Sequence, residues 1–174
     1  TGMANEVEIN NLIKYISNRN IQTALLHCHS AYPAPNHHLN LAYIQRLKSK
    51  FQFDVGYSSH DIGETASITA IGLGATIIEK HITLNRQHYG NDHSVSLEPI
   101  ELVNYVKKLR QAYDMLGSKD CERIIGPGEK FNRISLSKSI ISLRKISKGN
   151  SISEKEIDFY PSGEGLSPAE FQEY

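Results

Sequence analysis

An excess of either charge is the first thing this sequence lacks: in 174 residues, 19 Lys and Arg stand against 19 Asp and Glu. With no basic surplus to neutralise phosphates, nucleic-acid and membrane-surface partners are not expected. One local cluster, Lys107, Lys108 and Arg110, falls on a single expected helix and reads as a solvated face. Cysteine is scarce too. Two of them, Cys28 and Cys121, are too few for a disulfide framework, and free thiols in a reducing cytoplasm fit better. Cys28 closes the apolar run Ala24-Leu25-Leu26-His27-Cys28 and reads as a buried structural thiol. No apolar run approaches the length of a membrane span, no signal peptide is recognisable, and repeats and low-complexity tracts are absent. The chain opens at Thr1-Gly2-Met3 without an initiator methionine, so its natural start is expected elsewhere.

What is present alternates. Residues 5–18 read as an amphipathic helix with Ile9, Leu12, Ile13 and Ile16 on one face. Residues 22–28 form a short apolar run, the pattern of a strand buried on both faces. A Pro- and His-rich loop, 30–38, leads to a second helix over 39–51. A strand at 53–58, a helix of small residues at 63–73 and a strand at 75–80 follow. A Gly90-Asn91-Asp92 turn precedes a long helix over 98–116, with Pro99 in its first turn and Gly117 at its end. This is the rhythm of βαβ units and a parallel sheet, so the fold class is α/β. Three parallel strands leave open edges and faces, so more strands precede Thr1 or a partner supplies them. The pattern changes after Gly117. Gly126-Pro127-Gly128 marks a linker, 135–146 reads as a strand or strand pair, and Ser153 with Glu156 caps one helical turn before an extended Phe159-Tyr160-Pro161.

Polar residues gather where the three strands end. The first ends in His27-Cys28-His29-Ser30-Ala31-Tyr32, the second in Ser58-Ser59-His60-Asp61, the third in Glu79-Lys80-His81. In parallel α/β folds active sites lie at the C-terminal ends of strands. Neighbouring strands lie about 4.8 Å apart, so His60 and His81 can converge on one metal ion with bonds of about 2.1 Å. Two imidazoles with open positions suit Mn²⁺, Zn²⁺, Fe²⁺ or Co²⁺. Taken singly, either histidine reads first as a capping or core residue bonded to backbone carbonyls; their matching positions on successive strands favour the pair. His27 and His29 fall opposite Cys28 by alternation and read as packed or hydrogen-bonded. His37 and His38 read as solvated loop residues, and His88 and His93 as candidates for the mouth of a site.

An ordered set of motifs resembles the second half of the sialic acid synthase family. It runs Thr1-Gly2-Met3, Leu25-Leu26-His27-Cys28, Ser30-Ala31-Tyr32-Pro33-Ala34-Pro35, Gly56-Tyr57-Ser58-Ser59-His60, Gly72-Leu73-Gly74-Ala75, Ile78-Glu79-Lys80-His81, Gly90-Asn91-Asp92-His93 and Ser96-Leu97-Glu98-Pro99. The tail, Ser135-Leu136 through Lys148-Gly149 and on to Pro161 and Gly165-Leu166-Ser167-Pro168, resembles the start of the antifreeze-like (SAF) domain of those enzymes. The resemblance implies a partial (β/α)₈ TIM barrel, its last three strands, in residues 1–120. It also implies a linker over 121–134 and an incomplete SAF-like domain over 135–174.

The implied reaction condenses phosphoenolpyruvate (PEP) with N-acetylmannosamine or a related amino sugar, giving a nonulosonic acid and phosphate. By the same resemblance His60 and His81 bind a divalent metal, Mn²⁺ first, with Mg²⁺ or Co²⁺ as alternatives. Glu79, Tyr32 and Asp92 are catalytic, and Ser30, Tyr32, Ser58 and Asp92 bind substrate. A domain-swapped homodimer is implied for the whole protein, and these 174 residues alone are expected to be inactive. Two departures stand out. Ser30 replaces an asparagine of some members, and Tyr160 replaces an arginine that reaches the partner's sugar site, which leaves the choice of sugar open. Kdo- or heptulosonate-type synthases share the chemistry but lack the tail; a non-catalytic truncated homologue is the alternative outside enzymes.

Overall fold

The computed structural model describes residues 1–19, 21–162 and 164–171. The chain divides into two units, Thr1–Ser118 and Lys119–Tyr174.

The first unit is α/β. Helix α1 (Glu6–Ser17) starts where the Asn5 side chain accepts from the backbone N–H groups of Val7 and Glu8, while the Glu8 carboxylate accepts from Asn5 N–H. This reciprocal cap satisfies donors that the first turn leaves bare. Strand β1 (Ala24–Cys28) leads through a 3₁₀ turn (Asn36–His38) to α2 (Tyr43–Lys50). Then come β2 (Asp54–Ser59), α3 (Thr65–Gly72), β3 (Ile77–Lys80), a short α4 (Asn91–Val95) and α5 (Pro99–Leu116). The strands form one parallel sheet in the order β1-β2-β3, with Cys28 opposite Ser58 and Ser58 opposite Glu79.

Strand alternation gives the sheet two unlike faces. Val55 and Tyr57 point into a core built with Ile44 and Leu47 of α2 and Ala66 and Ala70 of α3. Leu25 packs on Ile9 and Ile13 of α1. Ala66 and Ala70 let α3 lie close against the strands. The intervening residues, Leu26 and Cys28, Gly56 and Ser58, Ile77 and Glu79, share the other face, where Ile77 and Glu79 are exposed. Leu12, expected with Ile9 and Ile13 on the packed stripe of α1, is 53% exposed. The apolar stripe of α1 is wider than the surface it covers.

Two helices form where turns were expected, for related reasons. Gly90 adopts φ 136° and releases the chain into α4, whose first turn carries Asp92. In the second unit, Pro127 stands at the first position of α6 (Pro127–Leu136), and Glu129 accepts from Gly126 N–H. The Gly-Pro-Gly segment therefore opens a helix inside the expected 121–134 linker, because proline's missing N–H costs nothing at a helix start. Leu136 ends that helix, and β4 (Lys138–Ser142) pairs antiparallel with β5 (Ile157–Pro161), setting Ser139 opposite Tyr160. A 3₁₀ turn, Glu154–Glu156, precedes β5, and the Glu156 carboxylate accepts from both the N–H and the hydroxyl of Ser153.

Candidate active site

The open face of the sheet carries the expected residues upward in register. Ser58 donates to Glu79 Oε1 at 2.7 Å, joining β2 to β3. One step beyond each strand, the rings of His60 and His81 lie 5.1 Å apart between centroids. The Tyr32 ring lies 4.3 Å from that of His60 and meets His81 edge-on at 6.1 Å. A cis Tyr32–Pro33 bond turns the chain here, and Ala34 N–H donates to the His60 carbonyl at 3.0 Å. Asp92, at the start of α4, completes the group. Partial burial raises the Tyr32 phenol above its usual range first, and the Asp92 and Cys28 charges raise it further. Tyr32 therefore stays a neutral hydrogen-bond donor at physiological pH.

The orientation of His60 is set by the backbone. Its Nδ1 lies 2.9 Å from the His29 carbonyl, which only accepts, so Nδ1 carries the proton. That leaves the Nε2 lone pair available as a metal donor, and carbonyl support of this kind is how ligating histidines are held. His60 is 5% exposed. Among the described residues no group of three or more His, Cys, Asp or Glu side chains forms a ready cage. The pair thus fits two positions of a metal's coordination sphere, with the remainder open to substrate, water or other ligands.

The other expected residues are placed as follows. Ser30 lies beside Cys28, Oγ to Sγ 3.8 Å. Cys28 is half-buried on the open face, 3.6 Å from His60 Nδ1, rather than sunk in the core. His29 and His38 approach at 5.8 Å and His37 stacks edge-on with His38. His88 and His93 lie 5.4 Å apart and line a pocket of about 470 Å³ with Ile82, Leu84 and Leu102. Lys108 pairs with Glu64, and Tyr160 is exposed on β5.

His27 takes the helix-covered face. It is 7% exposed, packs on Tyr43 and Tyr57, and donates from Nε2 to the Leu39 carbonyl at 2.7 Å, while Nδ1 has no partner. Burial lowers its pKa below the ordinary 6.5, against the opposing pull of the Leu39 carbonyl. The unfolded chain thus binds this proton more readily than the folded one. The contribution is fully present above about pH 6.5 and is lost as pH falls through the folded-state pKa. His27→Gln is expected to reduce the drop in melting temperature between pH 7.5 and 5.5. An unchanged drop would remove His27 as its source.

Four residues of the helix-covered face escaped the sequence reading: Tyr57, Ser59, Asp61 and Lys80. Tyr57 and Ser59 each donate to Asp61 Oδ1 at 2.7 Å, and Lys80 donates to Ser59 Oγ at 2.9 Å and to the Asp61 carbonyl. One signal existed. Lys80 sits between two open-face residues, so alternation sends its charge to the covered face, where it needs partners.

Comparison with known proteins follows the same outline. The sequence profile of the NeuB family matches residues 1–121. An uncharacterized protein of Methanocaldococcus jannaschii is 39% identical over 167 residues, 95% of this chain and 49% of that protein. The N,N'-diacetyllegionaminic acid synthase of Campylobacter jejuni is 36% identical, over all of this chain and 52% of its own. The crystal structure of the N-acetylneuraminic acid (sialic acid) synthetase of Leptospira borgpetersenii superposes with a TM-score of 0.69 at 36% identity, over 75% of this chain and 46% of that one. The chain spans about half the length of the relatives it matches. No helix among the described residues is long and apolar enough to cross a membrane. With a profile match covering most of its length and a parallel sheet carrying the family's motifs at its strand ends, the chain belongs to the NeuB family.

Proposed function

We propose that the protein is a nonulosonic acid synthase, a PEP-dependent transferase that condenses PEP with N-acetylmannosamine or a related amino sugar and releases phosphate. The observation that carries this reading is the row at one end of the sheet: the Ser58–Glu79 bond, the paired rings of His60 and His81, Tyr32 stacked beside them, and Asp92 close enough to act on Tyr32. Residues 1–120 are the last three strands of a (β/α)₈ barrel, 121–134 connect it, and 135–174 begin a SAF-like domain. The whole protein is a cytoplasmic, domain-swapped homodimer.

In the reaction C3 of PEP attacks the open-chain aldehyde, water adds at C2, and phosphate leaves with C–O cleavage. Negative charge grows on the aldehyde oxygen. His60 and His81 hold a divalent ion, Mn²⁺ in this reading, which when bound supplies Lewis-acid stabilisation of that charge. Tyr32, neutral and adjacent, donates a hydrogen bond to substrate oxygen. Glu79, exposed on the open face and held by Ser58, moves the proton that the added water must lose. Asp92 accepts from sugar hydroxyls. Ser58 and Ser30 lie on the PEP side; the short Ser30 hydroxyl leaves room for water where an asparagine amide would reach.

The test is phosphate release from PEP by the complete gene product, with a panel of amino sugars, with Mn²⁺ and with EDTA. Release is expected only when sugar and metal are both present, and none from the 174-residue chain alone. Metal-independent release, or turnover by the isolated chain, would contradict the reading.

A further inference from the structure

The two faces of the sheet end are chemically complementary. Ser58 and His60 project to the open face, and Ser59 and Asp61 to the covered one. Glu79 and His81 are likewise separated by Lys80. On the covered side the bonds form a directed chain. Lys80 Nζ donates to Ser59 Oγ, Ser59 donates to Asp61 Oδ1, and Tyr57 donates to the same oxygen. Tyr57, Ser59 and Asp61 are each at most 1% exposed. The Lys80 amine is thus partly buried with acceptors on both Ser59 and Asp61, which asks what this arrangement accomplishes.

Its position supplies the answer. The pairing of β2 with β3 ends at Ser59 opposite Lys80. His60 and His81 lie one residue past that end. From there the two segments hold to different neighbours. His60 is tied to His29 and Ala34, whereas His81 gives its carbonyl to Leu97 N–H at 2.9 Å. Lys80 reaches past the end of the ladder to the Asp61 carbonyl and spans the gap.

We infer that Lys80 is a positioning residue: its ammonium clamps the covered side of β2 to β3 and so sets the separation of His60 and His81 on the opposite side. Ser59 and Asp61 serve as its anchor, and Tyr57 fixes the Asp61 carboxylate. The inference rests on the reading of His60 and His81 as a metal pair. It adds that their geometry depends on a residue which contacts neither metal nor substrate.

Lys80→Met keeps the stem and removes the donors. In the complete gene product its Mn²⁺ dissociation constant, measured from the free-ion EPR signal well below the melting temperature, is expected to rise about 10- to 100-fold, as for other outer supports of metal ligands. Ser59→Ala, a milder change, is expected to weaken binding about tenfold and carries the test if Lys80→Met does not fold. A purely structural role would lower the melting temperature and leave the dissociation constant alone. If His60→Ala and His81→Ala bind Mn²⁺ like the parent, the metal-pair reading falls and takes the inference with it. If those variants lose Mn²⁺ while Lys80→Met, or Ser59→Ala in its place, stays within about threefold of the parent, the positioning role alone is overturned.

Discussion

His60→Ala and His81→Ala are each expected to lower kcat for phosphate release from PEP by roughly 10²–10³-fold, the loss seen when a group that stabilises developing negative charge is removed. Both histidines stand one residue beyond paired strands on the open face, with centroids 5.1 Å apart. The His29 carbonyl fixes the His60 ring so that Nε2 is free. Removing either imidazole leaves one donor from this sheet, too few to keep the ion in a defined geometry. The melting temperature should change little for His81→Ala, whose ring lies outside the apolar clusters, and should fall for His60→Ala, whose buried ring bonds the His29 carbonyl. Activity within about threefold of the parent in either variant would remove that histidine from the chemistry.

Gly56→Ala is expected to destabilise the protein by about 3 kcal/mol, the upper end of ordinary overpacking, or roughly 10 °C in melting temperature. Gly56 sits mid-strand on the open face between Leu26 and Ile77. A methyl group there would lie 2.4 Å from the Ile77 carbonyl oxygen, 2.4 Å from Leu26 Cδ2 and 2.8 Å from Ile77 Cβ. Leu26 has rotamers to use; a backbone carbonyl in a sheet ladder does not. The strain falls between β2 and β3, the strands that carry Ser58 and Glu79, so any folded fraction should also lose activity. A melting temperature within about 2 °C of the parent would show that the strands part more easily than the geometry implies.

Both effects trace to alternation, and so does most of what the sequence made legible. Short apolar runs at regular intervals identified β1, β2 and β3, and a period of two set His27 and His29 opposite Cys28. Matching positions at the strand ends made His60 and His81 visible as a pair, whereas Ser58 and Glu79 were singled out only by the family motifs. Tyr32 and Asp92 were not visible in this way. They come from a loop and a short helix, and only the family motifs singled them out. The covered-face residues were harder still. Alternation places Lys80 away from His81, but its partners are fixed by how far Ser59 and Asp61 run past the end of the ladder. Tyr105 of α5, whose hydroxyl donates to Ser67 of α3 at 2.6 Å, lies near enough for the Asp61 charge to act on it. No local pattern states such a meeting of elements. Turn chemistry was ambiguous at Gly90 and at Gly126-Pro127, because the residues that end one element also begin the next.

The His60–His81 pair is the centre of this reading, and pulsed EPR of Mn²⁺ bound to the complete gene product tests it most directly. Two imidazole nitrogen couplings are expected in the parent protein, and the two-coupling signal is expected to be lost in both His60→Ala and His81→Ala at the same Mn²⁺ concentration. A spectrum without imidazole coupling, or one unchanged by both substitutions, would contradict it.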